Sequence, residues 1–105
     1  MDFEKPAERL GLNVEEYMEL IELFIETGSK DLAELENAAE EKNIKAVIER
    51  SHSIKGASGN LGLVEVYEVS KEIENMAINN SIDSIEDRIL QIKQLMENIV
   101  TSSQK

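Results

Sequence analysis

Four long stretches of this sequence repeat their apolar residues at intervals of three and four positions, and this spacing limits what the chain can fold into. The stripe of the first stretch runs through Val14, Tyr17, Met18, Ile21, Phe24, Ile25, Gly28, Leu32, Leu35 and Ala39. One apolar stripe per helix is typical of helices that surround a common core. The spacing predicts helices at roughly 14–41, 43–61, 63–79 and 82–101. Gly28 on the first stripe indicates the close approach of a neighbouring helix.

Residues that favour helix ends separate these stretches. Asn13 is a candidate N-cap with Glu16 at the capping-box position, and Asn43 is a second candidate N-cap. Gly62 is expected to end or bend the second helix. A short helix is also expected around residues 6–10, where a proline stands near the first turn.

The connections between these helices are short, so consecutive helices run antiparallel. At 105 residues the chain is long enough for one compact domain and too short for two. We therefore predict a single all-α domain over residues 1–105, an up-down antiparallel four-helix bundle with a short additional N-terminal helix. A monomer is expected because one face per helix suffices for the core. Leu20 and Leu23 lie off the main stripe, and they would either pack under the N-terminal segment or support a dimer or docking surface.

Charge and composition exclude several classes of function. The net charge of −11 makes nucleic acid a poor partner, and the absence of cysteine excludes disulfides, thiolate catalysis and Cys-ligated metal. No apolar run approaches the roughly 20 residues that a membrane span needs. The first residues, MDFEKPAERLGL, lack the basic end and apolar run of a signal peptide. We therefore expect a soluble cytoplasmic protein without a membrane span.

The single histidine, His52, lies in a locally cationic segment of this acidic chain. Residues 43–62 carry three basic residues and one acidic residue, a local charge of +2. Advancing about 100° per residue places His52 well over 100° from the centre of the core-facing arc. We therefore expect an exposed imidazole.

The residues that share the exposed arc with His52 are Lys55, Ile48 and two glycines, Gly56 and Gly59. Two glycines inside a helix cost roughly 2 kcal/mol relative to alanine. A helix would tolerate that cost if a partner had to approach the backbone beside His52. This arc therefore predicts a docking face.

The spacing around His52 resembles that of the histidine-containing phosphotransfer (HPt) domains of multistep two-component phosphorelays. The signature has Lys at +3, Gly at +4, Ser at +6 and Gly at +10, which are here Lys55, Gly56, Ser58 and Gly62. The next helix continues the match with Val66, Ser70, Ile73 and Glu74. The resemblance covers about residues 14–100, and the four-helix bundle of that family is the architecture that the apolar spacing already indicates.

The resemblance implies a phosphocarrier without a kinase domain of its own. His52 would accept a phosphoryl group from the aspartate of a receiver domain and pass it reversibly to another receiver, since a neutral imidazole is a competent nucleophile. Lys55, one turn along, would face the phosphoryl oxygens. The docking face for the receiver would consist of Ile48, Gly56 and Gly59. The residues expected to serve the fold are Ser58, bonded to a backbone carbonyl one turn back, and Gly62.

The implied partners are response-regulator receiver domains and a hybrid histidine kinase. A receiver holds Mg²⁺ in a pocket of carboxylates, so an acidic chain needs a locally neutral or positive docking face. No cofactor or metal site is expected in this chain, since it shows no carboxylate group with metal-loop spacing.

Alternatives to a relay carrier remain open at this stage. The phosphoacceptor module of a chemotaxis-type histidine kinase shares the His-x-x-Lys-Gly core, and a helical adaptor would bind a partner without phosphorylation. Glu49 and His52 have the spacing of a di-iron ligand pair, but the chain has no second histidine for a second pair. No phosphate-binding loop supports a kinase or an ATPase.

Overall fold

The computed structural model describes residues 2–104, and this part of the chain contains five helices. They are α1 (Glu4–Arg9), α2 (Val14–Glu40), α3 (Ile44–Asn60), α4 (Val64–Ile78) and α5 (Ile85–Ser103). The predicted fold class, an all-α bundle with a short additional N-terminal helix, is confirmed. No helix in the described part is long and apolar enough to span a membrane.

The four long helices form a ring in which each contacts two others. α2 packs against α3 and α5, and α4 packs against α3 and α5. The contacts show antiparallel neighbours: the hydroxyl of Tyr17, near the start of α2, donates to the carbonyl of Leu61 at the end of α3. α1 packs on α2, where the ring of Phe3 lies 6.1 Å from that of Tyr17.

The core consists mainly of Ile, Leu and Val side chains from all four long helices, together with Tyr17. The predicted close approach at Gly28 is confirmed, because a Cβ atom there would lie 3.0 Å from Cε of Met96. Ser51, Ser58 and Ser70 are fully buried, and each hydroxyl donates to the backbone carbonyl four residues earlier. Such self-satisfied hydroxyls add no unpaired polar group to the core.

The helix ends follow the expected chemistry at two N-termini. Asn13 and Glu16 form a capping box at the start of α2, and the side chain of Asn43 accepts from the backbone N–H of Ala46 at the start of α3. Both predicted caps are confirmed. Gly62 ends α3 with φ +72°, and the N–H of Leu63 donates to the carbonyl of Ser58, which closes a Schellman motif.

Three boundaries differ by two or three residues from those that the spacing predicts. α1 begins at Glu4 rather than at residue 6, and α5 begins at Ile85 rather than at residue 82 and ends at Ser103 rather than at residue 101. Asn80 adopts a left-handed conformation with φ +57°, which turns the chain after α4 and delays α5. Ile82 lies in this connection and still packs against the core. Its apolar side chain therefore reflects burial and not a position inside a helix.

Candidate functional site

The site is built on the face of α3 that borders α4. The side chain of His52 is 65% exposed, while its neighbour Ser51 is fully buried. The predicted exposure of His52 is therefore confirmed, and the structure places the side chain at the rim of the contact between α3 and α4. The spacing within α3 alone does not show which side chain of α4 lies against the imidazole.

α4 presents a carboxylate that holds two side chains of α3. Glu74 is buried, with only 10% of its side chain exposed. Its Oε2 lies 2.7 Å from Nδ1 of His52, and its Oε1 accepts a hydrogen bond of 2.6 Å from Nζ of Lys55. Residues three apart on a helix lie on one face, so a single carboxylate from α4 can reach both.

Glu74 and Lys55 each stabilise the charged form of the other. Burial by itself would raise the pKa of Glu74, but the hydrogen bonds from Lys55 and His52 outweigh it and hold that pKa below the ordinary value. The hydrogen bond to Glu74 raises the pKa of Lys55. An ionised Glu74 only accepts hydrogen bonds, so Nδ1 of His52 carries the proton and donates. The lone pair of the imidazole is then on Nε2.

The other side of α3 is fixed against α2 by a second polar cluster. Asp31 accepts hydrogen bonds from the hydroxyl of Ser53 at 2.7 Å and from the guanidinium of Arg50 at 3.1 Å. Arg50 also pairs with Glu34 at 3.2 Å. α3 is therefore held on both flanks of His52, by Asp31 from α2 and by Glu74 from α4.

The two glycines that share the exposed arc with His52 have different surroundings. A Cβ atom at Gly56 would meet nothing within 4 Å, so this position borders open space. Gly59 is also exposed, but a Cβ atom there would lie 3.1 Å from Cδ2 of Tyr67, so this glycine borders a side chain of the domain. The ring of Tyr67 packs over the backbone of α3 there, which gives Gly59 a role within the domain. The docking role predicted for Gly59 stays a prediction.

Two further residues of the predicted exposed arc are less exposed than the wheel indicates. Lys55 is only 23% exposed at its side chain because it reaches across to Glu74 of α4. Ile48 is half-buried and packs against the core. The docking role predicted for Ile48 stays a prediction, but its free surface is smaller than a fully exposed isoleucine would offer.

The two residues predicted to serve the fold have internal roles in the structure. The buried hydroxyl of Ser58 donates to the carbonyls of Ile54 and Lys55 at 2.7 and 3.1 Å. Gly62 takes the left-handed conformation that closes α3. Gly62 lies at the start of the turn that leads into α4.

Sequence reasoning placed Glu74 in the family pattern but gave it no part in the site. A signal was present: Glu74 borders the stripe of Ser70, Ile73 and Ala77, where a lone carboxylate needs a partner. Identifying that partner requires the register of α4 on α3. No three His, Asp or Glu side chains of the described residues are grouped as a metal site would require.

Similarity to known proteins shows the family of this chain. Residues 19–102 match the Hpt domain. The chain is also similar to the phosphorelay intermediate protein rdeA of Dictyostelium discoideum, with 32% identity over 81 residues. That alignment covers 77% of this chain and 32% of rdeA, so the chain spans about a third of that relative. No solved structure gives a significant match. Since the match covers most of α2, all of α3 and α4 and nearly all of α5, the chain belongs to the Hpt domain family.

Proposed function

We propose that this chain is a phosphorelay intermediate, in which His52 accepts a phosphoryl group from the aspartate of one receiver domain and passes it reversibly to another. The observation that carries the proposal is the exposed imidazole whose Nδ1 is held by a buried carboxylate. The family membership and the similarity to a phosphorelay intermediate protein support it.

The transfer requires no proton to move at the reacting atoms. The lone pair of Nε2 attacks the phosphorus of the aspartyl phosphate, an N–P bond forms, and the P–O bond to the aspartate breaks to release its carboxylate. The product imidazole carries hydrogen on Nδ1 and phosphorus on Nε2, so its ring is cationic. The carboxylate of Glu74, 2.7 Å from Nδ1, stabilises that positive charge.

Glu74 and Lys55 have separate tasks in this mechanism. Glu74 fixes the tautomer and the orientation of the ring, as a carboxylate does for a catalytic histidine elsewhere. Lys55 supplies positive charge next to the phosphoryl group that arrives on Nε2. Its hydrogen bond to Glu74 holds that charge close to His52 before the phosphoryl group is present.

The partner that this site fits is a receiver domain with its own Mg²⁺ bound among carboxylates. Gly56 leaves open space beside His52 for the loops around that pocket. The local charge of +2 over residues 43–62 reduces the repulsion between this acidic chain and the acidic pocket. We further propose that a hybrid histidine kinase supplies the first phosphorylated receiver and that the protein acts as a monomer in the cytoplasm.

A phosphoacceptor module of a chemotaxis-type kinase would use the same His52, Lys55 and Glu74. The similarity to a phosphorelay intermediate protein favours the relay carrier over that alternative. A helical adaptor that is never phosphorylated would have no use for a fixed tautomer at an exposed histidine. The cluster around Glu74 therefore favours phosphotransfer over simple binding.

The deciding experiment incubates the purified protein with a receiver domain that has been phosphorylated by acetyl phosphate. We expect a label on this protein that is labile in acid and stable in base, which identifies phosphohistidine. His52→Gln should keep the helical circular dichroism spectrum and carry no label. Acid-labile phosphate on His52→Gln, or none on the parent protein with several receivers, would contradict the proposal.

A further inference from the structure

The contacts between α3 and α4 fix which residues lie at the same level along the two antiparallel helices. His52 is level with Glu74, and seven residues further along α3 Gly59 is level with Tyr67, seven residues back along α4. Moving four residues the other way places Ile78 at the level of Ile48. By the same count, residue 71 of α4 lies at the level of residue 55 of α3, and both are lysines.

Lys71 and Ile78 lie on the edge of α4 that borders His52 and faces outward. At about 100° per residue they fall about 60° and 40° from Glu74, on the side away from the buried Ser70 and Ala77. We call these two residues the α4 rim. Ile78 is 59% exposed, and Lys71 is exposed.

Side chains on a helix lean towards its N-terminus, and this sets where the α4 rim points. Ile78 leans from the level of Ile48 towards the level of His52. Lys71 leans from its own level towards the open side of α3 near Gly56, where a Cβ atom would meet nothing within 4 Å. The α4 rim therefore continues the surface around the imidazole.

The charge pattern of α4 singles out Lys71. It is the only basic residue among the 15 residues of α4, which also contain four glutamates. Glu68 and Glu74 each stand three residues from Lys71, a spacing that permits an ion pair, yet within residues 2–104 no ion pair involves Lys71. Glu74 is instead paired with Lys55 and His52 of α3.

We propose that the α4 rim is the second half of the receiver-docking surface, with Ile78 as an apolar contact and Lys71 as a partner for carboxylates around the receiver's acceptor pocket. This inference rests on the proposed function, and it adds α4 to a docking face that the sequence placed on α3 alone. Charge complementarity carries it: the one cation of an acidic helix lies on the outward edge of α4 that borders α3, and no carboxylate of the described residues forms an ion pair with it. An exposed isoleucine two turns further along the same edge, Ile78, is the kind of side chain that a partner buries.

The test separates docking from chemistry by phosphorylating His52 in two ways. Phosphoramidate transfers its phosphoryl group to the imidazole and releases ammonia, without any receiver. A phosphorylated receiver transfers the group only after it docks. Ile78→Ser should raise the KM for the phosphorylated receiver about five- to tenfold, and Lys71→Glu should raise it about tenfold or more at low salt. Both variants should react with phosphoramidate at the parent rate.

Matched controls are available on α5, which packs on α2 and α4 and does not contact α3 within the described residues. Leu90→Ser removes a side chain that is 53% exposed, and Lys93→Glu makes the same change of charge as Lys71→Glu while it also breaks the 3.9 Å pair of Lys93 with Glu36 of α2. Both should leave the KM unchanged. Added salt should reduce the effect of Lys71→Glu and not that of Ile78→Ser.

Equal KM values for the rim and control variants would overturn the inference and leave the proposed function intact. An equal loss of the phosphoramidate reaction would also overturn it, because the α4 rim would then act on His52 itself. Failure of the parent protein to become phosphorylated on His52 by either route would instead remove the proposed function, and this inference with it.

Discussion

At the scale of single residues, Glu74 decides how His52 can react. A buried carboxylate is costly unless it is hydrogen-bonded, and Glu74 has charge-assisted partners on both of its oxygens. The same bonds that satisfy the carboxylate set the tautomer of the imidazole. The burial of Glu74 and the reactivity of His52 therefore depend on the same hydrogen bonds.

Replacing Glu74 by glutamine should slow phosphorylation of His52 more than it weakens binding of the receiver. The amide keeps the shape but loses the charge that stabilises the cationic phosphoimidazole, and a charge-assisted bond lost in the transition state corresponds to about tenfold in rate. Single-turnover transfer and receiver titrations measure the two effects. Glu72→Gln, an exposed glutamate paired with Arg88, is the control, and equal rates in the two variants would contradict the prediction.

At the scale of one helix, α3 has two glycines beside His52 for different physical reasons. Gly59 lies against Tyr67, where an added Cβ atom at 3.1 Å would push on the ring. Gly56 borders open space and lies inside a regular helix without a positive φ. Packing within the domain therefore explains Gly59 and leaves Gly56 to be explained by an approaching partner.

Gly56→Leu should accordingly raise the stability of the domain while it blocks transfer from a receiver. Leucine favours a helix over glycine by up to about 1 kcal/mol, and a Cβ atom at this position would meet nothing within 4 Å. Urea denaturation measures the stability, and the phosphorylated receiver measures transfer. Gly59→Leu is the comparison, and it should destabilise the domain by displacing Tyr67. A Gly56→Leu protein that is unfolded, or that transfers at the parent rate, would remove Gly56 from the docking face.

At the scale of the whole molecule, the sequence predicted which face of each helix is buried. It did not predict the side-chain contacts between α3 and α4. Apolar spacing within the four long helices was enough for the fold class, and the spacing within α3 was enough for the exposure of His52. The bond between His52 and Glu74 joins residues 22 positions apart and depends on the turn at Gly62, which sets the register of α4. No periodicity within a single helix contains that register. The same limit explains why the contact of Gly59 with Tyr67 was not foreseen.

The cluster around Glu74 also makes the stability of the bundle depend on pH in a defined direction. The pKa of Glu74 is lower in the folded protein than its ordinary value of 4.5. Its contribution to stability is therefore present above pH 4.5 and is lost as the pH falls through the folded pKa. The pKa of Lys55 is raised above 10.5, so its contribution is present below that pH and is lost as the pH rises through the folded pKa.

The difference in unfolding free energy between the parent protein and Glu74→Gln should therefore be flat near neutral pH and shrink towards both extremes. The net charge of −11 complicates the absolute values, because protonation of many carboxylates relieves self-repulsion as the pH falls. That effect is nearly equal in the two proteins and cancels in their difference. Urea denaturation at intervals from about pH 3 to 7 measures the acid side, where the pKa of Glu74 applies.

Glu72→Gln should give a smaller difference at neutral pH, since its ion pair with Arg88 is exposed. If the advantage of the parent protein over Glu74→Gln were as large at pH 3 as at pH 7, Glu74 would not be the carboxylate that holds His52 and Lys55 in solution.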